Sequence, residues 1–137
     1  MNGVYILVVS VAEPVYLKVG ALGNVFFEEG TYAYVGSGQV GLEKRVVRHL
    51  RRVKKRFWHI DYLLNSDVAK VVKVFWKEGE KSEECRLAEV LGKHGVPVAG
   101  FGCSDCRCGG HLFRVREYGF LGGFTSELRL KPVGSVR

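Results

Sequence analysis

Residues 3–10, GVYILVVS, carry no charge and consist mostly of β-branched, aliphatic and aromatic side chains. A run this short and this apolar reads as a buried strand. It also faintly imitates a signal peptide, because apolar residues continue to Val11 and small ones follow. No basic residue precedes it and the run is short and early, so the strand reading holds and a cytoplasmic protein is expected. No stretch is long and apolar enough to span a bilayer as a helix. A buried strand needs covering layers, and the rest of the chain supplies them. Val15 to Val19 and Val25 to Phe27 read as strands around the Gly20–Asn24 turn, and Thr31 to Val35 as another. Leu42, Val46, Leu50, Val53 and Phe57 recur at helical spacing, which predicts a helix over 42–55 with one apolar stripe. Residues 58–64, WHIDYLL, continue as a short helix or turn with Trp58, Ile60 and Leu63 as core. Ala69 to Trp76 is a strand. Ser82 to His94 is a helix with Ser82 as N-cap and Glu83 and Glu84 in its first turn, and Gly95 and Pro97 stop it. Residues 98–110 form a glycine- and cysteine-rich loop, His111 to Val115 a last strand, and the glycine-rich remainder has no clear pattern. The fold class is α/β in the α+β sense: a small, mostly antiparallel sheet flanked by helices, in one domain.

Charge narrows the function. The net charge of +7 sits in one place. Residues 40–57 hold eight Lys and Arg and a single acid, Glu43, while the rest of the chain balances at 13 basic and 13 acidic residues. One local basic stripe is the footprint of a polyanion site, against the plainer reading of a solvated helix face. On the helical wheel Arg45, His49, Arg52 and Arg56 share a sector of about 60° at the shoulder of the apolar stripe, facing the sheet. Lys44, Arg48, Arg51 and Lys55 point further out, where they would grip a phosphate backbone or be solvated. Few Gln, Asn and Met beside many Lys, Arg, Glu and Val lean weakly towards a thermophile.

The segment Gly36-Ser37-Gly38-Gln39-Val40-Gly41 spells G-x-G-x-x-G between a strand and a helix, the form of a dinucleotide cradle, with Asp61 near the place of a ribose-binding acid. Three features oppose that reading. The helix face is almost wholly basic, and the preceding strand carries Tyr32 and Tyr34 where a buried parallel strand wants aliphatics. The chain is also too short to complete a doubly wound sheet. An arginine, a histidine and the tyrosines Tyr5 and Tyr34 converging on a basic groove suit phosphodiester chemistry instead. Arginine offsets charge on phosphate, and histidine or tyrosine takes a proton from water.

Gly3-Val4-Tyr5 and Tyr34-Val35-Gly36 resemble the two signature tripeptides of the GIY-YIG nuclease superfamily, which includes the catalytic domains of UvrC and of some intron-encoded homing endonucleases. YVGS followed by LEKRVVRHL resembles the second signature strand and first helix of the homing enzymes. More narrowly, YAYVGSG, RHLRR, WHIDYLL, EECRLAEVL and FGCSDCRCGGHLF resemble an archaeal group related to that superfamily, over nearly the whole chain. The resemblance implies a metal-dependent endonuclease acting in repair or processing, with DNA the favoured substrate. It implies Arg45 as the arginine on the scissile phosphate and His49 as general base or water-orienting group. Tyr5 and Tyr34 line the site, and Glu84, or Glu83 beside it, holds one Mg2+ or Mn2+. Lys44, Arg48, Arg52, Lys55 and Arg56 would grip the nucleic acid. The chain departs from the pattern in its spacing: 28 residues separate Tyr5 from Tyr34, and the excess around Glu13–Gly30 reads as an added hairpin. The GIY-YIG-like domain then spans residues 1–116, with a Cys/His loop at 98–111 and a tail at 117–137. A nucleic-acid-binding module without cleavage, or a nucleotide binder using GSGQVG, are the alternatives.

Cys103, Cys106, Cys108 and His111 offer four soft ligands in nine residues, with Cys85 as an alternative ligand from the second long helix. Zinc accepts such a set tetrahedrally. Thiols that simply pack in a glycine-rich loop, or a direct site role for Asp105 or His111, are the competing readings.

Overall fold

The computed structural model describes residues 2–38, 41–51, 55, 58–102 and 110–128. Among these, the first strand, β1 (Gly3–Val11), lies near the centre of a six-stranded sheet, antiparallel at every pairing. β2 (Val15–Lys18) and β3 (Asn24–Phe27) pair as a separate antiparallel hairpin, the added hairpin predicted around Glu13–Gly30. β4 (Gly30–Gly38) returns alongside β1, with Tyr5 opposite Gly36 and Leu7 opposite Tyr34. β5 (Ala69–Glu78) flanks β1 on the other side. The order is completed by β6 (Gly95–Pro97), β7 (Leu112–Val115) and β8 (Ser126–Glu127), giving β6-β7-β4-β1-β5-β8.

Strand periodicity divides β1 between two cores, because alternate side chains leave opposite faces. Tyr5, Leu7, Val9 and Val11 pack on one face, under α1 (Leu42–Leu50) and α2 (His59–Leu64), with Leu42, Val46, Ile60, Leu63 and Phe101. Val4, Ile6 and Val8 pack on the other, against Leu87, Ala88 and Leu91 of α3 (Ser82–Gly92) and against Leu121. With both faces covered, β1 is apolar at nearly every position, as its sequence requires. The β2–β3 hairpin extends the first core through Val19 and Phe27 and touches α2.

Two glycines of the G-x-G-x-x-G segment serve packing and the third serves backbone conformation. A Cβ on Gly36 would lie 2.4 Å from the Tyr5 hydroxyl, and one on Gly38 would lie 2.8 Å from the Leu42 Cα. Gly41 starts α1 in the left-handed region at φ 73°. The motif thus lets a strand, a tyrosine ring and a helix meet closely.

Four sequence expectations change. The helix predicted to reach Lys55 ends at Leu50, and Arg51 is extended at φ −70°, ψ 136°. The apolar spacing continues past that point, and Asp61 of α2 lies against Arg48 of α1. Tertiary demand overrides periodicity there. Ser82 is the first residue of α3 rather than its cap, and the turn opens one residue earlier at Lys81. Gly95 and Pro97, read as helix-stopping signals, also form β6 at the sheet edge, where proline's missing N–H is tolerated. Part of the region read as a tail completes the fold. Leu121 is fully buried, β8 pairs with β5, and the Leu128 N–H donates to the Val74 carbonyl. Among the described residues no helix is long and apolar enough to cross a membrane.

Candidate active site

The start of β1, the end of β4 and the start of α1 surround a polar pocket of about 240 Å3. Tyr5, Tyr34, Gly36, Ser37 and Arg45 line it from the sheet and α1, and Trp58 and Gly102 close one side. Lys81 and Glu84 enter from the first turn of α3. The fold therefore brings four of the five predicted catalytic side chains, Tyr5, Tyr34, Arg45 and Glu84, into one pocket wall.

The fifth, His49, stands behind that wall. It is buried at 2% exposure, and its Nε2 lies 2.7 Å from the Tyr5 hydroxyl. Its ring also meets Tyr5, Trp58 and Tyr34, with centroids 5.4, 5.7 and 6.2 Å away. His49 thus addresses the pocket through Tyr5. The position to which the resemblance gives the role of general base or water-orienting group thus stands one side chain behind the pocket. Burial, the nearby Tyr34 and the carboxylates of Glu84 and Asp61 hold the Tyr5 phenol well above its usual range, and only Arg45 opposes them. Its resting form is the neutral phenol.

Arg45 is held from two sides. Its Nη1 donates to the Ser37 carbonyl, and its guanidinium lies 4.7 Å from the centre of the Trp58 ring. Arg48 packs on the same ring at 4.4 Å and makes a two-pronged bond to Asp61, 3.0 Å to each carboxylate oxygen. Its Nη2 also donates to the Lys55 carbonyl. Asp61 is fully buried and accepts from the Trp58 N–H at 2.9 Å. Arg48 was expected on the nucleic-acid grip; its guanidinium is instead committed to a carboxylate, an aromatic face and a carbonyl. Trp58, read as core, packs partly buried against the first core and also lines the pocket, while Ile60 and Leu63 are fully buried as expected. The His59 Nδ1 accepts the Gly102 N–H at 2.8 Å. Burial lowers the His59 pKa, in keeping with that acceptor role.

The two acids of α3 separate cleanly. Glu83 turns away, bonded to Lys77 at 2.7 Å and close to Arg86 at 3.2 Å. Its hydrogen bond to Lys77 and both nearby cations hold its carboxyl below the usual range. Glu84 lines the pocket, and its Oε2 lies 2.7 Å from the Nδ1 of His111, which is 2% exposed. Lys81 was not singled out from sequence. Its only signal there was its place three residues before Glu84, which helix geometry puts on the same side.

Lys44, Arg51 and Lys55 are exposed. Arg52 and Arg56 lie outside the described residues, as do Cys103, Cys106 and Cys108. The ends flanking residues 103–109 are both anchored beside the pocket: Gly102 through His59, and His111 through its N–H to the Phe101 carbonyl and its carbonyl from the Val35 N–H. Cys85, the alternative soft ligand, is half-buried on α3, one residue from Glu84.

No curated protein and no solved structure matches the chain. One family profile does, described as "Domain of unknown function DUF123", and it matches residues 4–127, from the first buried strand to the last strand of the sheet. The pocket lies wholly inside the matched region. By that match the chain belongs to the DUF123 family.

Proposed function

We propose that the pocket hydrolyses phosphodiester bonds in a nucleic acid, DNA being the favoured polymer, in the manner of a GIY-YIG endonuclease with a repair or processing role. One observation carries the reading: the Tyr5 hydroxyl, bonded to buried His49, shares a small polar pocket with Arg45, Lys81 and Glu84. A proton acceptor, cations for a phosphate and a carboxylate for a divalent ion are the parts such a reaction needs.

The neutral phenol defines how the proton moves. A water beside Tyr5 gives its proton to the phenol oxygen as Tyr5 passes its own to the His49 Nε2, so no free phenolate forms. The water oxygen bonds to phosphorus, and the bond from phosphorus to the leaving sugar oxygen breaks. Arg45 offsets charge on the phosphate oxygens, and Trp58 and the Ser37 carbonyl fix its fork beforehand, so little reorganisation is needed during the reaction. Lys81 adds a second positive charge from the opposite side.

Glu84 is the residue that would hold Mg2+ or Mn2+. The donor set fits, because magnesium is commonly bound by one or two carboxylates and keeps several waters, and the pocket is polar and open enough for them. When bound, such an ion polarises the phosphate and offsets charge on the leaving oxygen.

A binding module on the same fold is the second reading, supported by the exposed cations Lys44, Arg51 and Lys55. Against the dinucleotide reading, Gly36 and Gly38 lie within β4 of an antiparallel sheet, whereas that cradle follows a parallel strand. The reading is tested on supercoiled plasmid and branched DNA with Mg2+ or Mn2+. Cleavage that a chelator stops and Glu84→Gln removes supports it. Salt-sensitive binding without cleavage under any divalent ion favours the module.

A further inference from the structure

Among the described residues one carboxylate lines the pocket, Glu84, and it has a neighbour that the proposed mechanism does not use. His111 is almost fully buried, and its Nδ1 stands 2.7 Å from the Glu84 Oε2. Its own backbone is fixed at both ends. The N–H donates to the Phe101 carbonyl at 2.7 Å, and the carbonyl accepts the Val35 N–H at 2.9 Å, one residue from Tyr34. His111 therefore sets its ring against the carboxylate of α3 while its backbone is fixed to the end of the strand that carries the second tyrosine. A glutamate side chain has three rotatable bonds, and one carboxylate holding a hydrated ion loses affinity if it swings.

We infer that His111 is the positioning residue of Glu84: its Nδ1 holds one carboxylate oxygen so that the other, Oε1, is presented to a divalent cation in the pocket. The inference rests on the proposed reading of the pocket and deepens it. His111 acts through Glu84 and touches neither substrate nor ion. Partners of this kind tune metal sites strongly, and losing one typically costs about 10–100-fold in metal affinity.

Two substitutions of similar polarity separate positioning from mere packing. His111→Asn places an amide nitrogen close to where Nδ1 stands, whereas His111→Gln carries its amide one bond further out, near the place of Nε2. Mn2+ binding is followed by the loss of the free-ion signal in electron paramagnetic resonance, with wild type and Glu84→Gln in parallel. The expected result is a His111→Asn protein with a wild-type Mn2+ dissociation constant within about threefold, and a His111→Gln protein weaker by about tenfold or more. The Mn2+ concentration for half-maximal cleavage should move by the same factors, with the rate at saturating Mn2+ largely restored. Equal Mn2+ binding by the two variants, or the reverse order, overturns the inference while Glu84-dependent binding leaves the pocket reading standing. If Glu84→Gln binds Mn2+ as wild type does, both fall together.

Discussion

Removing the guanidinium of Arg48 should cost more than removing the charge it faces. Asp61 is fully buried, while 26% of the Arg48 side chain remains exposed. Arg48→Met takes away the group that both carboxylate oxygens contact and leaves an ionised acid in the interior. Breaking a buried pair from that side costs about 3–5 kcal/mol. Asp61→Asn keeps an oxygen for the Trp58 N–H and leaves a guanidinium that can turn towards water, so about 1–2 kcal/mol is expected. At roughly 3–5 °C per kcal/mol for a chain of this size, Arg48→Met should melt about 10 °C or more below wild type, and Asp61→Asn well under that. The double variant should recover part of the Arg48→Met loss, because the stranded charge is gone. Urea and thermal denaturation of the four proteins read the comparison. If Asp61→Asn is as damaging as Arg48→Met, or the double variant is the sum of the singles, then the pair does not hold α1 to α2. Arg48 would then revert to the nucleic-acid grip.

Other expectations follow from single contacts. Gly36→Ala drives a methyl into the Tyr5 hydroxyl, so the pocket must open; about 1–3 kcal/mol of stability and most cleavage should be lost, measured by denaturation and plasmid nicking. Burial raises the Tyr5 pKa well above the ordinary phenol range, so the folded form holds the proton more tightly than the unfolded chain. The stabilisation that follows is complete below about pH 10 and fades as pH rises towards the folded value. Tyr5→Phe should therefore flatten the alkaline fall in melting temperature and remove the last-titrating phenol from the ultraviolet absorbance curve. An unchanged curve would contradict the burial argument. Glu83→Gln should leave Mn2+ binding as in wild type, since Glu83 faces Lys77 and Arg86 and not the pocket.

Much of the fold is legible in residue pattern. The uncharged run of β1 demands cover on both faces, and the structure gives it two cores. Short β-branched and aromatic segments between glycines mark β2, β3 and β4, and the position of the added hairpin follows from them. Alternation within strands also puts Tyr5 and Tyr34 on the face of α1, where Arg45 and His49 look back at them. What periodicity does not carry is where tertiary contact cuts across it. The end of α1 depends on a pair between Arg48 and Asp61, thirteen residues apart, and no local signal marks it. β8 is only two residues long and is defined by its pairing to β5 rather than by composition. In the pocket, a helix wheel gives direction but not depth. It puts Arg45 and His49 in one sector, yet only packing decides that Arg45 reaches the cavity while His49 stays behind Tyr5. Glu83 and Glu84 likewise differ in depth and neighbours, since Lys77 pairs with the first and the second lines the pocket.

The most direct test of the central claim is the Mg2+- or Mn2+-dependent nicking of supercoiled plasmid by wild type and Arg45→Ala, with oligonucleotide binding measured on the same proteins. The account predicts that Arg45→Ala lowers the cleavage rate by about 10²–10³-fold, the scale of losing one preorganised charge donor, and binds within a few-fold of wild type. Equal cleavage by the two proteins, or none by either with binding intact, would contradict it.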